Sequence, residues 1–243
     1  MSSVRDRTPS SAGKRPPRGR QPWRQQRRRP PLIVWVVIAL LVVGVGAGVA
    51  VQRSRSVESN EVVTPAHALG PGGGEVLGNP SAPVVLEEYA DFQCPACAAL
   101  ERAAGPTIRR LAEQGRIRFV FHNFAFLGPE SLRAASAATC AGDQGKFWPY
   151  HDLLFAEQAP ENSGALSTDR LLELGRRVGL SDERFTACVR DDTYVPWVRQ
   201  VTEEGSRRGV RGTPTLYRNG EQLSLNGIQS EAELERAIVS GTP

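Results

Sequence analysis

Apolar and polar positions divide the chain into distinct regimes. From Leu32 to Val51 there is no charge and no proline. Twenty residues rising about 1.5 Å each cover about 30 Å, the thickness of a bilayer's hydrocarbon core, so this run predicts a transmembrane helix. Residues 52–75 offer few apolar side chains and, through Pro65, Gly70, Pro71, Gly72, Gly73 and Gly74, much backbone freedom; they predict a flexible linker. Residues 76–243 suit one domain with its own core. Within it, Val84, Val85, Leu86 and Tyr89 predict a buried strand over Val84–Ala90. Leu100, Ala104, Ile108 and Leu111 recur at helical spacing over Cys94–Gln114, and Ile117–Phe126 reads as a second strand, together a βαβ opening. Gly105-Pro106 predicts a kink or break in that helix. From Pro129 to about Val210 the pattern is almost wholly helical, with breaks near Gly145, Ala159 to Gly164, and Gly179. Strands return at Thr215–Arg218 and Glu221–Leu225, flanking the two-residue turn Asn219-Gly220, and Ser230 with Glu233 forms the capping box of a last helix. The expected fold is α/β: βαβ and ββα portions around an all-helical insertion at about 129–210.

Charge changes the picture only when divided at the apolar run. The chain carries +4 overall, yet 10 of its 30 basic residues and 1 of its 26 acids precede Leu32. Residues 52–243 hold 20 basic against 25 acidic residues, a net of −5. The exported part is thus mildly acidic, and overall basicity gives no support for nucleic-acid binding. By the positive-inside rule the Arg-rich tail, residues 1–31, stays in the cytoplasm as a disordered segment, and the domain lies outside a cell membrane crossed once. The competing reading is a signal peptide cleaved near Gly48 and Ala50, although 20 apolar residues exceed the usual length of such segments.

The candidate chemistry is Cys94-Pro95-Ala96-Cys97, placed between the first strand and the first helix. A cysteine in the first helical turn feels the unsatisfied backbone N–H groups, which favour thiolate and create a nucleophile; a second cysteine three residues on can reach its sulfur and resolve a mixed disulfide. The alternative, half of a zinc site, requires a second close pair of ligands. Cys140 and Cys188 are singletons, and His67, His122 and His151 are scattered, so no metal set is expected. His122 reads as ordering the sheet edge or a nearby loop. Trp148, Tyr150 and His151 read as packing on a helix that starts around Pro149.

Leu77-Gly78-Asn79-Pro80, Asp91-Phe92-Gln93-Cys94-Pro95-Ala96-Cys97, Cys140-Ala141 with Gly145-Lys146-Phe147-Trp148, and Gly212-Thr213-Pro214-Thr215 together resemble the DsbA-like thiol-disulfide oxidoreductases, which are thioredoxin folds with a helical insertion. The resemblance implies that Cys94 attacks and Cys97 resolves, with no cofactor. It implies a cis Thr213-Pro214 bond facing the cysteines, where an incoming peptide docks. Phe92, next to the active-site segment, reads as shaping an apolar rim there. The resemblance also places an acid at Glu88, six residues before Cys94, to exchange a proton with Cys97; the competing placement has Glu87 inward and Glu88 exposed. Cys140 and Cys188, each on a helix-like stretch in an oxidising compartment, are expected to form a structural disulfide, the alternative being two buried free thiols. Ala96 stands where strongly oxidising members often carry His, which implies moderate oxidising power. The implied partners are exported proteins with cysteines and, as electron acceptor, a membrane quinone-linked thiol oxidoreductase. A reductase or isomerase of the same fold, or a noncatalytic metal- or peptide-binding module, is compatible with the same residues.

Overall fold

The computed structural model describes residues 62, 63, 65–67 and 73–241. The tail and the apolar run Leu32–Val51 lie outside these residues; among the described residues no helix is long and apolar enough to cross a membrane. The elements are β1 (Glu75–Gly78), β2 (Val84–Ala90), α1 (Pro95–Glu113), β3 (Ile117–Asn123), α2 (Pro129–Gly142), α3 (Phe147–Ala156), α4 (Thr168–Arg177), α5 (Glu183–Arg190), α6 (Val195–Arg207), β4 (Thr215–Arg218), β5 (Glu221–Leu223) and α7 (Glu231–Ser240). The strands form a five-stranded sheet in the order β1-β3-β2-β4-β5. Within it β2 and β3 run parallel, joined by the α1 crossover, while the other three pairings are antiparallel.

Both faces of the central strands are buried, so alternation on β2 separates two environments rather than core from water. Val84, Leu86 and Ala90 join Phe119 and Phe121 of β3 in the main core, with Ala104, Ile108 and Leu111 of α1. On the opposite face Tyr89 packs with Phe124 and Val210. There Gly205 of α6 lies against the sheet so closely that a Cβ would come within 2.9 Å of both Phe124 and Tyr89. That face also contains Glu87, which accepts hydrogen bonds from Arg208 at 2.8 and 3.1 Å and pairs with His122 at 3.2 Å. Burial works against the charge, but the bonds from His122 and Arg208 hold the Glu87 carboxyl down to about 2. His122 is not at a sheet edge: β3 lies between β1 and β2, and the imidazole is stacked on Tyr89 at 4.3 Å between ring centroids.

Several expectations need correction. Gly105-Pro106 does not break α1, which runs through Pro106; Ala104, Thr107, Ile108 and Leu111 bury one continuous stripe whose packing outweighs the lost N–H. The 52–75 segment is not free throughout. Glu75 opens β1, and the His67 ring pairs with Glu75 Oε2 at 2.9 Å and with the Thr139 carbonyl at 3.0 Å. These are polar contacts, so the scarcity of apolar side chains could not foretell them. β3 and β5 end at Asn123 and Leu223, short of Phe126 and Leu225, while α3 starts at Phe147, before Pro149.

The two-residue turn Asn219-Gly220 has φ of 50° and 84°, the left-handed pair such a hairpin requires. Ser230 accepts from Glu233 N–H at 3.2 Å; the Glu233 carboxylate reaches back to Gln229 N–H rather than to the cap residue itself.

Cys140 of α2 and Cys188 of α5 are joined in a disulfide across 48 residues. In the chain-entropy account a loop of this length stabilises the fold by about 4 kcal/mol. The Cys140→Ala/Cys188→Ala double variant should therefore unfold at distinctly lower urea than the parent, measured by far-ultraviolet circular dichroism. Cys94 should keep its thiol reactivity in that variant.

Candidate active site

Cys94 caps α1, with φ −74° and ψ 117°, and Pro95 occupies the first helical position, where its missing N–H costs nothing. The strand-to-helix turn is fixed from within. Asp91 accepts Cys94 N–H through its carbonyl at 2.9 Å, and its carboxylate accepts from Gln93 N–H, Ser131 hydroxyl, and the N–H groups of Phe126 and Leu127. Gln158, from the helical insertion, donates to the carbonyls of Phe92 and Cys94 at 2.8 and 3.0 Å. Two elements far apart in sequence thus clamp the cysteine turn, and neither Gln158 nor the role of Asp91 was foreseen; only the position of Asp91 beside the motif offered a signal.

The two thiols are unbridged and unequal. Cys94 is 8% exposed and Cys97 is fully buried, so only the first can meet a large partner. The Cys94 thiol donates to the Thr213 carbonyl at 3.3 Å, across a cis Thr213-Pro214 bond. Its pKa is lowered to about 5. The hydrogen bond from Cys97 is the main cause; burial opposes it, and the Thr213 hydroxyl and the N–H groups of Cys97 and Ala96 add to it. The Thr213 hydroxyl has no hydrogen-bond partner beside the neutral thiol, which leaves it free to donate to the ionised sulfur. Cys97 is pushed up, first because it donates to Cys94 and second by burial. One sulfur is therefore a thiolate at neutral pH and its mate a thiol.

Glu88 lies on β2 beneath this pair, opposite Phe121 and Leu216. It is wholly buried, and its neighbour Glu87 on the other face is nearly so. The expected burial of Glu88 holds and the competing placement, with Glu88 exposed, does not; because the sheet is covered on both sides, Glu87 is buried as well. Burial, followed by the charge of Glu101, drives the Glu88 carboxyl well above the ordinary range. Glu101 itself, one turn after Cys97 on α1, was not foreseen. It sits at a stripe position between Cys97 and Ala104, where an acid is out of place, and that was the available signal.

Phe92 does not form a rim. It is 2% exposed and packs against Phe121, Phe155 and His151, so it supports the turn from below. The surface beside Cys94 is instead a cleft of about 600 Å³ lined by Ala96, Leu100, Pro214, Thr215, Leu223 and Leu225.

A buried dithiol at the mouth of a helix on a five-stranded sheet, faced by a cis-proline turn, is the arrangement of a thioredoxin-type redox centre. The chain belongs to the thioredoxin family, whose model matches residues 71–239. Among solved structures it is similar to MdbA, a thiol-disulfide oxidoreductase from Actinomyces oris, with a TM-score of 0.62 and 25% identity over 77% of this chain and 94% of that one. Among curated proteins it is 28% identical to a probable disulfide bond formation protein D of Bacillus anthracis, over 59% of this chain and 69% of the relative. It is also 34% identical over 68% of its length to the Na(+)/H(+) antiporter NhaA 1 of Salinispora arenicola, of whose length it spans 24%.

Proposed function

We propose that the protein is an extracytoplasmic thiol-disulfide oxidoreductase that introduces disulfides into exported proteins. The observation that carries this reading is the inequality of the two sulfurs. A client thiolate attacks Cys94 of the oxidised pair and expels Cys97; the second client thiol then attacks the mixed disulfide and releases Cys94 as a stable thiolate. A leaving group that is already ionised at neutral pH makes that release fast and makes the reduced form favourable, which is the bias of an oxidant. Ala96 supplies no side-chain charge, but its N–H contributes to holding the thiolate.

Thr213 and Pro214 present the client-binding edge beside Cys94, where the backbone of an extended peptide can pair as an added strand. Glu88 exchanges a proton with Cys97 as the disulfide opens and closes. In this reading Leu32–Val51 anchors the domain outside the membrane, and a membrane quinone-linked thiol oxidoreductase accepts the two electrons. Support for the setting comes from the apolar run with its basic flank and from the disulfide bond formation relative.

The direct test is oxidation of a reduced, unfolded, disulfide-containing model client by the full-length oxidised protein, read as client thiols lost. Stoichiometric transfer to Cys94 and Cys97 is expected. A protein that instead reduces client disulfides, with a potential near that of thioredoxin, would reverse the direction of flow. Glu88→Gln should slow opening of the Cys94–Cys97 disulfide about tenfold near pH 7 and shift its pH profile; an unaltered profile would remove Glu88 from the mechanism.

A further inference from the structure

The proton that Cys97 takes up must enter a site from which water is excluded. Among the described residues eight buried side-chain nitrogen or oxygen atoms have no hydrogen-bond partner, and four of them belong to three neighbouring groups: both oxygens of Glu88, Oε1 of Glu101 and Nε2 of His151. A buried polar atom left unpaired costs about 1–3 kcal/mol, so a row of them calls for a reason.

The geometry supplies one. His151 Nε2 stands 3.6 Å from Glu101 Oε1, slightly beyond hydrogen-bond length, so a small side-chain shift closes the gap. The other ring nitrogen, Nδ1, lies 3.0 Å from Asp152 Oδ1. Asp152 is half exposed and accepts two bonds from Arg109 of α1. The imidazole is thus flanked by a largely buried acid on one edge, 15% exposed, and a solvent-facing acid on the other. Its faces and remaining edges meet Phe92, Phe121, Phe147, Trp148 and Phe155, none of which titrates. Among the side chains packed on this ring, the two carboxyl groups are the ones that can exchange a proton with it.

The outer end opens into a second cleft, of about 330 Å³, between α1 and α3, on which Glu101, Gly105, Arg109, His151 and Asp152 all abut. Gly105 makes room for the acid: a Cβ there would come 2.9 Å from Glu101 Oε2.

We propose that Glu101 and His151 form a proton path joining the buried Cys97–Glu88 pair to this cleft, with Asp152 as its mouth. The path rests on the thiol-disulfide exchange reading of the site. When a client thiolate bonds to Cys94, the Cys94–Cys97 bond breaks and Cys97 leaves with its electron pair. It takes one proton from Glu88; Glu88 is refilled from Glu101, and Glu101 from the imidazole, which picks up a proton on Nδ1 at the Asp152 side as it gives one from Nε2. The client supplies both electrons, and no further reactant is needed. Reoxidation runs the same path outward. His151 is a proton carrier two groups removed from the sulfur.

The test follows opening of the disulfide in the full-length oxidised protein by dithiothreitol, with samples quenched in acid and free thiols alkylated. Glu101→Gln and His151→Gln should each slow opening about tenfold and alter its pH profile, while the equilibrium potential of His151→Gln stays at the parent value. In His151→Ala, added imidazole should restore the rate, and a series of methylated imidazoles should do so in order of their basicity. Wild-type rates and pH profiles in Glu101→Gln and His151→Gln would overturn the path. So would equal rescue of His151→Ala by pyrazole, which fills the space without titrating. Should the buried His151 variants fail to fold, the partly exposed Glu101→Gln decides alone. A parent protein that does not react with dithiothreitol at all would instead refute the exchange reading itself.

Discussion

Cys97→Ala protein mixed with an oxidised client should accumulate as a covalent adduct through Cys94, with turnover reduced by about three orders of magnitude. The reason is positional. Cys94 is the only sulfur of the pair that reaches the surface, and Cys97 lies directly behind it at full burial. With Cys97 removed, no thiol of the protein attacks the mixed disulfide, and once the client's own freed thiol is blocked by alkylation, release waits on an outside thiol. The adduct should appear as a higher band on a non-reducing gel, vanish with dithiothreitol and be absent from Cys94→Ala protein. Failure to trap any client through Cys94 would mean that attack begins elsewhere.

Alkylation of Cys94 in the reduced protein should follow a titration centred at about pH 5, where an ordinary thiol would titrate near 9. Because the folded value lies below the unfolded one, the stabilisation is fully present above pH 9 and disappears as pH falls through 5; at about pH 7 it amounts to about 2 to 3 kcal/mol of preference for the reduced fold. The reduction potential must show the same break. Above about pH 5 the reduced pair holds one proton, on Cys97, and the potential should fall about 30 mV per pH unit; below it both sulfurs are protonated and the slope doubles to about 59 mV. A single slope of about 59 mV from about pH 4 to 8 would mean that Cys94 is an ordinary thiol, and the oxidising bias would go with it.

Local signals served well wherever the structure depends on local chemistry. The strands Val84–Ala90 and Thr215–Arg218, the turn Asn219-Gly220 and the cap at Ser230 all arise from residues within a few positions of each other. Where distant chain decides, the pattern was silent. β1 is four residues long, and it holds its place by pairing with β3 while Trp148 donates to the Val76 carbonyl. Pro106 stays helical because both neighbouring turns are buried against other elements. Phe92 beside the cysteines suggested a rim, but the insertion folds over it and turns it into core. The same covering hid His151: its spacing on α3 is that of a packing residue, and only the fold reveals an acid at each nitrogen.

If the protein oxidises exported chains as proposed, the bond between Cys140 and Cys188 makes it a customer of its own trade. All four cysteines leave the ribosome reduced, and a chain that has not yet closed its permanent cross-link lacks the brace on the helices that carry Ser131 and help seat the cysteine turn. Mature copies can supply that oxidation to newly made ones, so the first molecules in a cell would ripen slowly and later ones quickly.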